Sequence, residues 1–237
     1  MSAAAGAGTI VVRNGVVLRA SPARDACFKI VTDQTEMVKH PDGSLEARRE
    51  QLHGDVNSEI QSLEIAAQML ADFPDAPWEL RLELARQCWD ETRHARLFLG
   101  RLLMLRGHKG EFPILNQEWG VVGMFDTLPE RLAVQNRIFE ALSLDVFKES
   151  VDAWRQRGDP ETAEVFDGVM VDEIRHAAFA HEWLLRLSAG KPSVMLKTVA
   201  AMSRLKTMAL ALTPPTMKME HEIPSNVEDK RHAGLIA

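Results

Sequence analysis

Two copies of one short motif constrain this chain more than any other feature. The segments Asp90-Glu91-Thr92-Arg93-His94 and Asp172-Glu173-Ile174-Arg175-His176 share the pattern Asp-Glu-x-Arg-His and begin 82 residues apart. On a helix, residues i and i+3 lie on one face, so each motif presents a carboxylate and an imidazole side by side. Two-metal sites in helical bundles combine two such Glu-x-x-His helices with one further Glu from each of two other helices. The sequence therefore predicts a bundle built around a metal site.

The spacing of the glutamates identifies the two remaining carboxylates. Glu59 lies 32 residues before Glu91, and Glu140 lies 33 residues before Glu173. The midpoints of these intervals fall near residues 75 and 157, in segments whose Pro, Gly and Asp residues predict turns. Because the chain folds back at these turns, we expect the two glutamates of each interval to lie at the same level.

Helical phase favours the same glutamates. Glu59 continues an apolar seam through Leu63, Ala66 and Leu70 at steps of three and four residues. Buried charge of this density is untenable without cations, and the alternative is a set of surface glutamates and core histidines without a metal. The predicted metal ligands, which also form the predicted catalytic centre, are Glu59, Glu91, His94, Glu140, Glu173 and His176.

The aspartate of each motif is suited to support the histidine of the other. A metal-bound histidine usually donates its second ring N–H to a carboxylate, a backbone carbonyl or water. We expect Asp90 to reach His176 and Asp172 to reach His94. The arginines of the motifs either balance these aspartates or lie on a solvated helix face; they are Arg93 and Arg175.

Four long stretches with apolar residues at steps of three and four predict an all-α fold. Short breaks separate the first from the second and the third from the fourth, which indicates two antiparallel helix pairs. The segment from Gly107 to Thr127 is long enough to cross over between the pairs. This connectivity is typical of a ferritin-like four-helix bundle. The predicted helices are Leu45–Ala71, Trp78–Arg106, Leu128–Arg157 and Pro160–Leu187.

The predicted bundle, residues 45–190, is flanked by two smaller segments. Residues 1–44 hold a β-hairpin around Asn14-Gly15, the strongest short hairpin signal, followed by a strap with little regular structure. Residues 191–237 hold a flanking helix from Ser193 to about Leu212 and then an extended tail.

Composition excludes several classes of protein. The formal net charge of −6 argues against broad electrostatic binding of nucleic acid. The two cysteines, Cys27 and Cys88, are 61 residues apart and indicate neither a disulfide framework nor a zinc site, so we expect a reducing cytoplasm. No run of about 18 apolar residues occurs, and we expect no membrane span and no export signal.

The motifs resemble those of a known superfamily. The paired Asp-Glu-x-Arg-His segments are similar to those of bacterial di-iron monooxygenases in the ferritin-like di-metal carboxylate superfamily. A closer resemblance is to the bacterial ferritin-like family catalogued as domain of unknown function 455. It rests on Glu59-Ile-Gln-Ser-Leu-Glu64, Asp72-Phe-Pro-Asp-Ala-Pro77, Asp90-Glu91-x-x-His94, Asp172-Glu173-x-x-His176 with Trp183, and the tail Pro224-Ser-Asn226-x-x-x-x-Arg231-x-Ala233-Gly234.

The donor set and the resemblance together imply redox chemistry. Mixed carboxylate and imidazole ligands suit iron or manganese better than structural zinc. We expect a non-haem di-iron oxidase or oxygenase that uses O₂ as co-substrate to hydroxylate, desaturate or N-oxygenate a small organic molecule. Mn/Fe and Mn/Mn pairs are alternatives to two iron ions. The chain contains no tyrosine, which excludes a tyrosyl-radical subunit of the ribonucleotide reductase type.

Partners and alternative functions follow from the same features. An external electron donor is expected because the sequence has no flavin or nicotinamide fingerprint. A homodimer is a further expectation. One alternative function is iron handling by a ferritin-type ferroxidase or peroxidase. The other is a tRNA-modifying di-iron hydroxylase, which the basic helix beginning at Ser193 leaves open.

Overall fold

The computed structural model describes residues 10–13, 15–20, 22–37, 40–212 and 226–235. Over these ranges the fold is all-α apart from two short strands near the start. The strands β1 (Ile10–Arg13) and β2 (Val16–Arg19) pair antiparallel. Gly15 between them has a φ of 79°, a conformation that favours glycine. Asn14, the other residue of the predicted turn, lies outside the described residues.

The strap after β2 contains one 3₁₀ turn, Gln34–Glu36, and is otherwise irregular where it is described. Backbone hydrogen bonds fasten it to the long crossover segment. The N–H of Val31 donates to the carbonyl of Ile114 over 2.9 Å, and the N–H of Ile114 donates to the carbonyl of Lys29 over 2.9 Å. The strap therefore lies against the crossover between the two long helix pairs.

The first helix pair consists of α1 (Leu45–Asp72) and α2 (Trp78–Met104). Ser44 caps α1, because its hydroxyl accepts a hydrogen bond from the N–H of Ala47 over 3.1 Å. Residues 73–77 reverse the chain, and the two helices then pack against each other. The observed ends of both helices lie within two residues of the predicted ones.

The crossover contains a short helix, α3 (Gln117–Val122), that the sequence analysis did not predict. Side chains of α1 fix it in place. Gln61 Oε1 accepts a hydrogen bond from the N–H of Trp119 over 3.3 Å, and Asn57 Nδ2 donates to the carbonyl of Leu115 over 3.4 Å. A helix of six residues is too short to show an apolar period, which is why the pattern did not indicate it.

The third predicted helix is interrupted. It runs as α4 (Leu128–Val134), a π-helical turn (Gln135–Phe139) and α5 (Glu140–Gln156). After a short turn, α6 (Pro160–Ser188) packs along α5, and α6 also contacts α2.

The last elements flank these helices. The helix α7 (Pro192–Leu212) packs against α4, as a flanking helix would. In the described ranges, no helix is both long enough and apolar enough to cross a membrane.

A further short helix, α8 (Val227–His232), forms in the tail. The prediction of an extended tail is therefore wrong for residues 227–232, because the Asn226 side chain accepts a hydrogen bond from the N–H of Asp229 and caps a helical turn. The predicted tail runs from Thr216 to Ala237, and its residues 216–225 and 236–237 lie outside the described residues.

The described apolar core consists of two large clusters along the long helices and a third, small cluster where α5, α6 and the residues after α8 meet. One large cluster holds Met69 and Leu84, and the other holds Leu52 and Phe98. Each long helical segment carries its predicted metal ligands between these two large clusters. This holds for the ligands on α1, α2 and α6, and for Glu140 at the start of α5. A polar layer therefore crosses the interior between two apolar layers.

We predict that Phe166→Ala destabilises the fold strongly. The Phe166 ring is fully buried and lies with its centroid 4.8 Å from the ring of Phe98 and 5.5 Å from that of Phe147. Deleting such a ring costs about 3–5 kcal/mol of unfolding free energy. Urea denaturation measures it, with Leu185→Ala on the same helix as the control, since Leu185 is 60% exposed. Equal losses in both variants would contradict the assigned core.

Candidate metal centre

The polar layer brings together all six side chains that the spacing singled out. The helices α1 and α5 contribute one glutamate each, and α2 and α6 contribute a Glu-x-x-His pair each. None of the six residues is more than 5% exposed. They are Glu59, Glu91, His94, Glu140, Glu173 and His176.

The six side chains form two overlapping groups that could each hold a metal ion. In each group one nitrogen or oxygen atom per residue lies within 4.8 Å of the corresponding atoms of the others. Glu91 and Glu173 belong to both groups. The first group also contains Glu59 and His94. The second group also contains Glu140 and His176. If each group held one cation, Glu91 and Glu173 would be available to both cations.

Both histidines point the same ring nitrogen into the cluster. His94 Nδ1 lies 3.1 Å from Glu91 Oε2, 3.1 Å from Glu173 Oε1 and 3.3 Å from Glu59 Oε2. His176 Nδ1 lies 2.9 Å from Glu173 Oε2 and 3.4 Å from Glu91 Oε1. The Nε2 atoms are consequently left for partners outside the cluster.

Those outer partners are the motif aspartates, each from the opposite motif. His94 Nε2 lies 3.2 Å from Asp172 Oδ2, within hydrogen-bond distance, whereas His176 Nε2 lies 3.5 Å from Asp90 Oδ2, an ion-pair distance without a hydrogen bond. These are the pairings that the sequence analysis expects. Burial alone would raise the pKa of Asp90. Its contacts with His176, Arg93 and Arg86 outweigh burial and hold the pKa of Asp90 below the usual value.

The two motif arginines behave differently. Arg93 bridges both aspartates, because its Nη2 lies 3.0 Å from Asp90 Oδ1 and 2.6 Å from Asp172 Oδ2. Arg175 lies toward solvent, the alternative that the sequence analysis left open. It donates to Glu83 Oε1 over 2.6 Å and is half exposed.

Buried amides hold the carboxylates of the second group. Gln87 Nε2 donates to Glu91 Oε1 over 3.0 Å and to Glu140 Oε1 over 2.9 Å. Gln135 Nε2 also donates to Glu140 Oε1 over 2.9 Å, and Asn136 Nδ2 donates to the Gln87 side-chain oxygen over 2.8 Å. The sequence analysis missed both glutamines. Gln87 has a readable signal, since it lies four residues before Glu91 on the same helical face.

Gln135 is positioned by the π-helical turn. In a regular α-helix, residues five apart are rotated by about 140° from each other, so Gln135 and Glu140 would face different sides. In the π turn the N–H of Glu140 donates to the carbonyl of Gln135, and both side chains reach the same polar layer. Such single turns occur frequently at functional sites. No α-helical pattern could have indicated Gln135.

The electrostatics of the cluster fit a cationic guest. Burial, with charge from the two shared carboxylates, raises the pKa of Glu59 and of Glu140 far above the usual value. Burial would lower the pKa of His94 and His176, but the surrounding carboxylates outweigh it and raise both. Without a metal ion, protons on these carboxyl and imidazole groups therefore reduce the negative charge of the cluster. Divalent cations would replace these protons, and the donor set of carboxylates and imidazoles is one that such ions accept.

A cavity of about 240 Å³ adjoins the cluster. Its wall includes Glu59, Glu140 and Glu173, so three of the six candidate ligands border it directly. It also contains two acidic residues that the sequence analysis did not single out, Asp55 on α1 and Glu118 on α3. Burial raises the pKa of Asp55 to about 8 and that of Glu118 to about 7.

Comparison with known proteins gives a family and no further neighbour. A family model described as "Protein of unknown function (DUF455)" matches residues 3–235. No curated protein and no solved structure matches the chain.

We predict that metal content depends on which group a ligand belongs to. Glu59→Ala and His176→Ala each disturb one group, so each should retain close to one metal ion per chain. Glu91→Ala and Glu173→Ala disturb both groups and should lose most of the metal. Elemental analysis after reconstitution measures this, with the exposed Glu79→Ala on α2 as the control. Full metal content in the Glu91 or Glu173 variant would contradict the assignment.

We also predict that Asp55→Asn changes how stability depends on pH. The folded protein keeps the Asp55 proton up to about pH 8, whereas an exposed aspartate loses it near pH 4. The contribution of Asp55 to stability is therefore lost as pH rises through this window, and Asn abolishes that loss. The Tm of Asp55→Asn minus that of the unchanged protein should increase from pH 5 to pH 8. The exposed Asp152→Asn should show no such increase.

Proposed function

The chain belongs to the DUF455 family, and we propose that it is an O₂-dependent di-iron oxidase or oxygenase acting on a small organic molecule. One observation carries the proposal. Two buried groups of carboxylates and imidazoles share Glu91 and Glu173 and lie beside a cavity of about 240 Å³. A structural metal site has no need of an adjoining cavity, whereas an enzyme needs one to admit its substrate.

The fold that we propose is a ferritin-like four-helix bundle. Its four members would be α1, α2, the segment from α4 through α5, and α6. Two features support this: the helices pack as two pairs, and each pair contributes one Glu and one Glu-x-x-His to the same polar layer.

The choice of metal follows from the donor atoms. Neither candidate group includes a thiolate. The Sγ of Cys88, the cysteine nearest to the motif in sequence, instead contacts the carbonyl of Leu63. Carboxylate and imidazole donors suit iron and manganese, and Mn/Fe and Mn/Mn pairs are the alternatives to two iron ions. Two iron ions bound here would supply the electrons and the Lewis acidity for the reduction of O₂.

The chain's own residues would orient and shield the centre. Asp90 and Asp172 fix the ring orientation of the two histidines, so that Nδ1 faces the cluster. Gln87 and Gln135 hold Glu140 in one position by hydrogen bonds to the same oxygen. The two apolar clusters on either side of the polar layer exclude water from it.

The size of the cavity limits the substrate. About 240 Å³ corresponds to the liquid volume of about eight water molecules, which is enough for a small organic molecule. Hydroxylation, desaturation and N-oxygenation all remain within the proposal. A separate electron donor is also part of it, and the homodimer and the cytoplasmic location stay predictions.

Iron handling is a second candidate function because one observation favours it. Asp55 and Glu118 make the cavity acidic, and an acidic cavity next to a metal centre also suits the entry of Fe²⁺. Storage or detoxification would consume Fe²⁺ in proportion to the amount supplied and would need no organic substrate.

Anaerobic loading with Fe(II), followed by exposure to O₂, tests the proposal. Mössbauer spectroscopy should show close to two irons per chain as a coupled pair, and O₂ consumption should exceed that of the same Fe(II) in buffer. Candidate reductants and substrates should then sustain repeated turnovers. Iron that remains magnetically isolated, with no O₂ consumption beyond the buffer rate, would overturn the proposal. O₂ consumption that stops when the added Fe(II) is exhausted would favour iron handling.

We predict that Asp90→Asn and Asp172→Asn weaken the centre without unfolding the chain. Asparagine keeps the size of the side chain but removes the charge that faces the histidine Nε2 and Arg93. Loss of such outer partners costs about tenfold to a hundredfold in metal affinity or activity. The measurement is Fe(II) affinity together with single-turnover O₂ consumption.

The matched control for these variants is Asp167→Asn, since Asp167 is exposed on the same helix as Asp172. Asp145 on α5 is not a suitable control, because it is buried and accepts a hydrogen bond from the backbone N–H of Asn226. If both motif variants equal the control in affinity and rate, the aspartates do not support the histidines.

A further inference from the structure

Two carboxylates in the cavity are not used by either metal group. Asp55 on α1 and Glu118 on α3 both belong to the wall. Ser58, which lies three residues after Asp55 and so on the same helical face, donates a hydrogen bond to Glu118 Oε1 over 2.9 Å. Asp55 and Glu118 therefore flank one serine and can face the same guest from two different elements.

Asp55 lacks a compensating partner. Its Oδ2 atom is shut off from solvent and receives no hydrogen bond from any residue in the described part of the chain. Among the described residues of the cavity wall, none is Lys, Arg or His. A buried acceptor without a donor costs roughly 1–3 kcal/mol, and a donor group of a bound molecule would remove this cost. The cavity thus offers acceptors for a positive charge and supplies no positive charge itself.

Part of the wall is apolar. Phe139, Leu142, Val146 and Phe147 line it, and Leu142 is 48% exposed. A hydrated metal ion gains nothing from such a wall, because its water shell presents only polar groups. A guest that has both a cationic head and a hydrocarbon body satisfies both halves of the cavity.

We propose that this cavity binds an organic ammonium ion with a short apolar body, whose charge lies between Asp55 and Glu118. The inference rests on the proposed function and deepens it, since the bound ion would be the substrate class of the same centre. Asp55 precedes Glu59 by one helical turn, which separates their β-carbons by about 5–6 Å. Carbon atoms a few bonds from the nitrogen are therefore the ones presented to the candidate ligands.

Calorimetric titration of metal-loaded protein with hexylammonium at pH 9, where Asp55 and Glu118 are mostly ionised, tests the proposal, with hexan-1-ol and hexanoate as neutral and anionic probes of the same length. Hexylammonium should bind with a Kd at or below about 10 mM, and each of the other probes should bind at least about tenfold more weakly. Asp55→Asn and Glu118→Gln should each weaken hexylammonium binding by about thirtyfold or more. Both substitutions keep the shape of the side chain, and a thermal melt checks that each variant is folded.

The matched control is Glu149→Gln, which removes an exposed carboxylate on α5 outside the cavity and should leave the affinity unchanged. If hexylammonium binds equally well to the Asp55, Glu118 and Glu149 variants, for example by amine coordination to the metal, the proposal is overturned. It is equally overturned if hexylammonium does not bind while Asp55→Asn and Glu118→Gln slow the uptake of Fe(II), since the carboxylates then serve metal entry.

Two readouts keep this proposal separate from the proposed function. Binding that depends on Asp55 and Glu118, in a protein that consumes no O₂ after Fe(II) loading, supports the ammonium site and contradicts the oxidase. Consumption of O₂ by the iron-loaded protein without any binding of hexylammonium contradicts the ammonium site alone.

Discussion

The burial of four carboxylates in one layer is the constraint on which the rest of the structure depends. Isolated charges cannot remain in an apolar interior, and the chain surrounds these with every kind of compensation available to it. Imidazoles lie inside the cluster, amides hold individual oxygens, and Arg93 bridges the two aspartates outside it. The two apolar clusters then enclose the layer from both sides. The polar layer is thus costly by itself, and its members offset much of this cost for one another, although Gln135 Oε1, Asn136 Oδ1 and His176 Nε2 have no hydrogen-bond partner in the described part of the chain.

The sequence predicts which candidate ligands lie together, because their spacing follows the α-helical period. Glu-x-x-His places two donors on one face, and equal distances from a turn place two glutamates at one level, so Glu59 and Glu140 are found without any structure. The aspartate pairings follow for the same reason. The family model that matches residues 3–235 agrees with the resemblance inferred from these motifs.

The sequence does not predict the contacts that depend on an irregular helical turn or on tertiary packing. Gln135 reaches the site through a π turn, which has no signature in a period of 3.6 residues. Glu118 comes from a six-residue helix in a segment that reads as a loop, and only tertiary packing brings it to the cavity. Arg175 has the same local sequence context as Arg93 but meets a different neighbour, Glu83. Local pattern determines which face a residue occupies, and packing determines which partner it finds.

The π turn also sets the tolerance of the third long segment to changes in length. Five residues there occupy a single turn between α4 and α5. Removing one residue between Asn136 and Phe139 would shorten this wide turn to an α-helical one, which takes about four residues. The flanking helices would then keep nearly the same faces toward the interior, including the buried Arg131 and Leu132 of α4. The same deletion inside α5 would instead rotate the helix on its two sides by about 100° relative to each other. The π turn is therefore the part of this segment that best tolerates the loss of a residue, whereas the regular α-helical turns fix the register of the site.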